Sequence, residues 1–449
     1  MLKDFRKIRI GFGNFLMMGN FEKEVEDAAV KHSDNAKAYL KKNFNAEIYS
    51  SLPVITNLDE ARAEWNYFRE KNIDAMIIYN GSFSLSNLMI DMIRNLDVPF
   101  LLWGLEEYFI DKGVLSGSMI GAMPAGMIFR DLKKKFTFAY GNIQRKEAEQ
   151  KVKSFMDTIR AISYMREAKV GLIGSRPDGF EIAGFDELAI KRIFGTTINK
   201  VSISELLDKI DCMDQKRVEE DMKIQMDIFD IDSEDLESAK ELSKVYLALK
   251  DITRDYSLDA YAPQCWPELR MIRKTPMCPA NGRLTAEGIM GSCEADMDCT
   301  LSMLLLHSLN GKTPWTADFV NLIDSNDSLM FWHCGNASYN LSEERPKIEV
   351  VFEGPAQTAV LKPGKVTVCR LNHNGNDFEL FAGIGEAIRS KPMLKGSNSF
   401  VRMPGGNMEF IESMLENGVP HHNVLIHGDL GAELKEFAKL VGIKSIIHG

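Results

Sequence analysis

The sequence predicts an α/β protein with two Rossmann-like, doubly wound α/β domains followed by a β-rich, barrel-like C-terminal domain. Apolar runs alternate with helical patterns up to about residue 165, and this alternation restarts near residue 168. After about residue 317 the runs become short and are separated by Gly, Pro and Asn. A chain of 449 residues is also too long for one ordinary core, because domains usually contain ~100–200 residues.

The first domain is expected over residues 1–167. Its strand-like runs are "KIRIGFG", "AEIYSSL", "DAMIIYNGSF", "VPFLLWGL" and "KFTFAYG". Short buried strands that alternate with helices predict a parallel sheet covered on both faces. Gly11 and Gly13 suggest a dinucleotide-binding turn, but Phe15 and Leu16 stand where its third glycine belongs. We therefore expect no dinucleotide at this turn, and a domain without clear chemistry of its own agrees with a role in assembly or in covering a cleft.

The other two domains are expected over residues 168–316 and 317–449. In the second domain, "AKVGLIGSRPDGF" and "LDAYAPQCWP" are typical of strands and "DELAIKRIF" of a helix. Arg176 stands beside a Pro-Asp-Gly turn, where it either belongs to the turn or contacts a polar substrate or subunit. In the third domain, "KIEVVFEG", "TAVLKPGKVTVCRLNHNG" and "DFELFAGIGEAI" favour an antiparallel barrel or sandwich, and the last segment predicts a helix followed by a short apolar end.

Composition argues against several classes of protein. With 54 basic and 64 acidic residues the net charge is -10, which disfavours a nucleic-acid binder. The N-terminus lacks the apolar core of a signal peptide, and no run approaches the ~18 apolar residues of a membrane helix. Seven cysteines form no CxxC pair, which supports neither a disulfide framework nor a zinc ribbon. We expect a cytoplasmic protein in a reducing compartment, with no membrane partner.

The stretch "GSCEADMDCT" (291–300) places three carboxylates between two cysteines. It could be a thiolate metal site, a carboxylate metal site or the acidic start of a helix, where carboxylates favour the helix dipole. With a helix starting near Glu294, Glu294 and Asp298 would share one face above an apolar stripe. The helix is expected to end at Asn310-Gly311.

Histidines favour the carboxylate alternative. Seven of the eight histidines follow residue 300. His333 follows an apolar strand, and His421 and His422 stand beside a proline turn, so we expect them to face a common cleft. Carboxylates with one imidazole suit Mn²⁺, Mg²⁺ or Co²⁺, whereas Cys293 and Cys299 lack the companions of a soft thiolate site.

Three motifs, "CEADMDCTLSMLLLHSLNGKTPWTADFVN", "FWHCGN" and "PHHNVLIHGD", together with the order of the domains, resemble the L-fucose isomerase and L-arabinose isomerase family. The resemblance implies that Glu294, Asp318 and His422 hold a divalent metal, usually Mn²⁺, with Mg²⁺ or Co²⁺ as alternatives. His333 is the nearest match to a further histidine ligand of the arabinose isomerases. Gln264 and Trp266 either line a sugar pocket or end a core strand.

The resemblance implies an aldose–ketose isomerase for a hexose, a deoxy or substituted hexose, or a pentose. Proton transfer between C1 and C2 through an enediol would then use Glu294 and Asp318 as the acid and base. The resemblance also implies that the enzyme uses no organic cofactor and that it forms a homo-oligomer, a hexamer or a trimer. One alternative is a cytoplasmic sugar-binding or regulatory protein with a vestigial metal site, and a weaker one is an NAD-dependent sugar oxidoreductase.

Overall fold

The computed structural model describes residues 5–17, 23–232, 236–351, 354–375 and 377–449. These residues form two compact units. The N-terminal unit contains Phe5–Ser163 and Lys439–Gly442, and the larger unit contains Tyr164–Ala438 and Ile443–Gly449. The finer division of the larger unit at residues 316/317 stays a prediction. Within the described residues, no helix has the length and apolar character needed to cross a membrane.

The N-terminal unit is built on a five-stranded parallel sheet with the strand order β2-β1-β3-β4-β5. The central strands are apolar because helices shield them from water on both faces. Its elements are β1 (Ile8–Phe15), α1 (Lys23–Asn43), β2 (Ala46–Tyr49), α2 (Leu58–Lys71), β3 (Ala75–Asn80), α3 (Asn87–Asn95), β4 (Phe100–Gly104), α4 (Ser118–Asp131), β5 (Phe136–Tyr140) and α5 (Lys146–Glu167), the last of which extends into the larger unit.

Gly11 and Gly13 lie inside β1 and not in a turn after it. A Cβ atom on Gly11 would come within 2.8 Å of the Ile73 side chain, and one on Gly13 within 2.9 Å of the Phe15 ring. The two glycines therefore allow close packing against the sheet, which explains their presence without a bound phosphate.

The larger unit begins with a four-stranded parallel sheet in the order β7-β6-β8-β9. In open α/β sheets, ligands bind outside the carboxyl ends of the strands, and the chain that leaves β8 and β9 leads to the site described below. The elements of this part are β6 (Lys169–Ile173), α6 (Glu187–Ile193), β7 (Thr197–Val201), α7 (Ile203–Asp211), α8 (Gln215–Ile228), α9 (Leu236–Asp255), β8 (Ala260–Pro263), α10 (Glu268–Arg273), α11 (Cys278–Ala286), β9 (Met290–Gly291) and α12 (Met297–Asn310).

The rest of the larger unit is built on a sheet in the order β12-β13-β16-β11-β10-β17-β14-β15-β18. Because β15 also pairs back with β16, the six strands from β16 to β15 form a closed barrel. Closure leaves each of these six strands paired on both sides, and β12 and β18 are the edge strands of the whole sheet. The elements are β10 (Trp315–Ile323), β11 (Ser328–His333), β12 (Lys347–Val351), β13 (Gly354–Val360), β14 (Gly364–Asn374), β15 (Asp377–Ala387), β16 (Ser397–Arg402), α13 (Asn407–Glu416), β17 (His422–His427), α14 (Gly431–Val441), whose last three residues belong to the N-terminal unit, and β18 (Lys444–His448).

The predicted fold class is confirmed: two parallel α/β sheets precede a barrel. The barrel core is apolar and includes Trp315, Phe331, Phe381 and Leu425. The helix α12 packs against β14 and β17 of the barrel and against β8 of the preceding sheet. Almost its whole length is buried, so it links the two parts of the larger unit.

Candidate active site

A pocket of about 450 Å³ opens where the loops after β8 and β9 meet the barrel strands β10, β11 and β17. Its wall includes the predicted metal ligands Glu294, Asp318 and His422, together with His333 and His421. His333, His421 and His422 therefore face a common cleft, as expected. The other histidines after residue 300 bond elsewhere: His307 to a lysine carbonyl, His373 to Asp298, His427 to a second lysine carbonyl and His448 to Ser413.

Glu294 belongs to the loop after β9 and not to the helix, so the helix start expected near Glu294 is wrong. α12 begins at Met297, and Asp296 is its N-cap, accepting a hydrogen bond from the Cys299 amide at 2.9 Å. Glu294 and Ala295 both have left-handed backbones, with φ of 54° and 58°, which interrupts a helix. The expected end is confirmed, since Gly311 caps the helix with a φ of 70°.

Asp318 and His422 face each other across a strand pair. Asp318 lies within β10, and His422, the first residue of β17, is its register partner. His422 Nε2 lies 3.8 Å from Asp318 Oδ1 and 3.8 Å from Glu294 Oε2. Both carboxylate oxygens are buried and accept no hydrogen bond within the described part of the chain. Two anionic oxygens and an imidazole nitrogen thus converge, and this donor set fits a hard divalent cation.

Behind His422 lies a buried ion pair that the sequence analysis missed. His422 Nδ1 lies 2.9 Å from Asp296 Oδ2, and Arg370 donates to both oxygens of Asp296 at 2.8 and 2.9 Å. Burial acts to raise the pKa of Asp296, but Arg370 and His422 outweigh it and hold the pKa well below its usual range. Asp296 is therefore a carboxylate that fixes the orientation of His422.

His421 also faces Glu294. Its Nε2 lies 3.5 Å from Glu294 Oε2, and its ring packs against that of His422, with centroids 4.1 Å apart. Burial acts to raise the pKa of Glu294, but His421, His422 and His333 together leave it below its usual value. Glu294 is thus kept anionic beside the pocket.

The four residues predicted to contact substrate separate into two pairs. His333 and Trp266 line the pocket, and Trp266 packs against Phe180. Gln264 and Arg176 are not among the lining residues. The Gln264 side chain is buried and accepts a hydrogen bond from the Ser175 amide at 2.8 Å, and Arg176 donates to the Pro177 carbonyl at 3.1 Å. Their roles stay predictions.

The pocket wall also contains two thiol pairs that no local spacing indicated. Cys265 Sγ lies 3.2 Å from Cys293 Sγ, and Cys278 Sγ lies 3.3 Å from Cys334 Sγ. Cys299 is directed elsewhere, with its sulfur 3.3 Å from Thr316 Oγ1. The two cysteines of "GSCEADMDCT" therefore do not form a site with each other.

The thiols also affect the neighbouring histidine. Burial acts to lower the pKa of His333, but the adjacent Cys334 outweighs it and raises the pKa to about 9. The pKa of Cys334 is in turn held well below its usual range, first by the hydrogen bond with Cys278 and also by His333 and Arg270. Positive and negative groups thus stabilise each other on this side of the pocket.

The C-terminal part of the chain matches a known protein family. Residues 333–448 match the family model of the L-fucose isomerase C-terminal domain. The predicted relationship to the L-fucose isomerase and L-arabinose isomerase family is confirmed, and with it the enzyme class of the aldose–ketose isomerases.

Individual relatives extend the similarity to nearly the whole chain. The sulfoquinovose isomerase of Priestia megaterium is 21% identical over 444 residues, covering 97% of this chain and 98% of the relative. The sulfoquinovose isomerase of Alkalicoccus urumqiensis is 22% identical over 82% of this chain and 85% of its own. The L-arabinose isomerase of Geobacillus stearothermophilus is 21% identical over 79% of this chain and 74% of its own.

Proposed function

We propose that this sugar isomerase depends on a divalent metal and moves a proton between C1 and C2 of its substrate through an enediol. The convergence of Glu294 Oε2 and Asp318 Oδ1 on His422 Nε2, at 3.8 Å each, is the observation that supports this most directly. When bound by these three residues, Mn²⁺, Mg²⁺ or Co²⁺ would supply a Lewis acid for the negative charge on O1 and O2 of the sugar.

His422 needs a fixed orientation and tautomer to serve as a ligand. The Asp296 carboxylate can only accept a hydrogen bond, so it favours the tautomer with the proton on Nδ1. That tautomer leaves the Nε2 lone pair directed towards Glu294 and Asp318. Arg370 holds Asp296 in place through two hydrogen bonds, which keeps the imidazole from rotating.

Glu294 and Asp318 are the groups that we assign to proton transfer. The C2–H bond of an aldose is too weakly acidic for an unaided carboxylate to break quickly. With the charge on the sugar oxygens stabilised, one carboxylate takes the proton from C2 and returns it to C1, while the other carboxylate moves the hydroxyl proton from O2 to O1. Each such transfer is worth roughly 10²–10⁴ in rate.

For the substrate, we propose an aldohexose with an anionic substituent, of which sulfoquinovose is the first candidate. The names of the Priestia and Alkalicoccus relatives support this choice. Arg270 supports it independently, because this cation lines the pocket near Trp266 and could pair with an anionic group on the sugar. The neutral pentose L-arabinose, suggested by the name of the Geobacillus relative, is the second candidate.

The reaction can be tested by screening aldoses with added Mn²⁺ and then labelling the preferred substrate. We expect sulfoquinovose to be converted to its ketose in preference to L-arabinose and L-fucose. Substrate deuterated at C2 should lose part of its label to solvent, because a carboxylate that holds the proton can exchange it with water.

Full retention of the C2 label during turnover would contradict the enediol route, since a hydride shift does not exchange with water. Binding of sugar without conversion of any aldose would instead favour the sugar-binding protein with a vestigial metal site.

A further inference from the structure

Cys278, His333 and Cys334 form a compact set of soft metal donors in the pocket wall. The two sulfurs lie 3.3 Å apart, and Cys334 Sγ lies 3.6 Å from His333 Nδ1. One donor atom from each of the three residues lies within 4.8 Å of the donor atoms of the other two. Cys278 and His333 are each only 2% exposed, and all three residues line the pocket.

Regular elements hold these donors in place. Cys278 is the first residue of α11, and His333 is the last residue of β11, directly before Cys334. Gly335 follows with a φ of 107°, and a Cβ atom there would come within 2.5 Å of the Gln357 amide. The turn that orients Cys334 therefore requires glycine. Such preorganisation lowers the cost of binding a ligand.

The spacing fits a tetrahedral metal better than a disulfide. Zn²⁺ with bonds of about 2.3 Å to sulfur and about 2.0 Å to nitrogen would place its sulfurs about 3.8 Å apart and sulfur and nitrogen about 3.5 Å apart. The two sulfurs, observed 3.3 Å apart, would have to move apart by about half an ångström to reach this arrangement. A disulfide bond of about 2.05 Å would need more than twice that movement and would leave the imidazole unused.

We propose that Cys278, Cys334 and His333 form a second metal site, for a thiophilic cation such as Zn²⁺, with the fourth coordination position open to the pocket. Two thiolates and an imidazole are soft donors that select Zn²⁺ over Mn²⁺ or Mg²⁺, which prefer oxygen. The hard donors Glu294 and Asp318 take no part in it. The site shares no ligand with the set Glu294, Asp318 and His422, although His333 and His422 stack with ring centroids 5.9 Å apart.

Cobalt provides a direct test, because thiolate ligands give Co²⁺ an intense charge-transfer band and a tetrahedral site gives it strong visible absorption. The protein would first be stripped of metal under reducing conditions and then loaded with Mn²⁺. This preparation would be titrated with Co²⁺. We expect both spectral features to saturate at one Co²⁺ per chain and to disappear when Zn²⁺ is added. The readout does not depend on turnover, so it separates this proposal from the proposed reaction.

Variants identify the ligands. Cys334→Ser and Cys278→Ser should each abolish the charge-transfer band, with circular dichroism used to check folding. Cys334 is only partly buried, so its substitution keeps the test valid if Cys278→Ser does not fold. Cys212→Ser, which changes an exposed thiol, and Glu294→Gln, which changes the hard site, should keep the band.

Two outcomes would overturn the proposal. One is a wild-type protein that binds Co²⁺ without a thiolate band. The other is a band that persists in Cys278→Ser and Cys334→Ser but disappears in Cys293→Ser, which would move the site to the Cys265–Cys293 pair.

Discussion

At the scale of single residues, the three carboxylates of "GSCEADMDCT" have three different tasks. Glu294 faces the pocket, Asp296 caps α12 and holds His422, and Asp298 accepts hydrogen bonds from His373 of β14. The two left-handed residues at 294 and 295 separate the first carboxylate from the helix. This conformation costs roughly 1–2 kcal/mol per non-glycine residue. The Ala295 amide, which donates to the Pro263 carbonyl at 3.0 Å, helps to hold it.

Glu294→Gln and Asp318→Asn should each fold and lose nearly all activity, with a fall in kcat of at least about 10². Each change keeps the size of the side chain and removes an anionic oxygen that accepts no hydrogen bond within the described residues. Mn²⁺ content after gel filtration should fall with activity, most strongly for Glu294→Gln. Steady-state kinetics and metal analysis of the same preparations check both expectations.

Cys299→Ser is the matched control, because it changes a fully buried residue of the same stretch whose sulfur contacts Thr316 instead of the pocket. It should retain Mn²⁺ and activity even if its stability falls. Full activity and unchanged Mn²⁺ in Glu294→Gln would refute the ligand assignment.

At the scale of elements, polar contacts lock α12 to β14. His373 Nδ1 lies 2.6 Å from Asp298 Oδ2, and the Leu371 amide donates to Ser302 Oγ at 2.8 Å. Arg370 from the same strand holds Asp296 at the start of the helix. Because Asp296 in turn orients His422, the docking of this helix and strand determines the geometry of the candidate metal site.

His373→Gln should reduce stability in a pH-dependent manner. The hydrogen bond to Asp298 raises the pKa of His373 more than burial lowers it. A histidine whose pKa is higher in the folded state stabilises the fold. This stabilisation is complete below the pKa of the unfolded state, about 6.5, and is lost as the pH rises through the pKa of the folded state. His373→Gln should therefore lower the free energy of unfolding more at about pH 6 than at about pH 9. The difference should be roughly 0.5–1 kcal/mol, because the pair is partly exposed.

Urea unfolding at both pH values would measure this difference. Ser302→Ala, which removes a hydrogen bond from the same helix and strand but no titrating group, should cost similar stability at both pH values. A pH-independent effect of His373→Gln would contradict the role assigned to the pair.

At the scale of the whole molecule, we predict a homo-oligomer, a hexamer or a trimer, as the family resemblance implies. The predicted metal ligands and substrate contacts all belong to the larger unit, which leaves the N-terminal unit available for assembly. Analytical ultracentrifugation of the active enzyme should give the mass of three or six chains of 50.6 kDa each. A stable monomer with full activity would refute this prediction.

The sequence by itself determined the kinds of elements and their order. Hydrophobic periodicity and turn residues are local properties, so they predicted two parallel α/β sheets, a β-rich end and the end of α12 at Gly311. The family motifs, again contiguous in the chain, selected Glu294, Asp318 and His422. The predicted start of α12 was wrong, because two left-handed residues that are not glycine leave no signal in the composition.

Only the tertiary structure decided which distant residues meet. Arg370 lies 74 positions from Asp296, and Cys334 lies 56 positions from Cys278, so no spacing rule in the sequence could pair them. The packing of α12 against β14 brings the first pair together, and the packing of α11 against β13 accompanies the second. These contacts depend on long-range packing of buried surfaces, whereas the patterns readable in a sequence arise within a few turns or one strand.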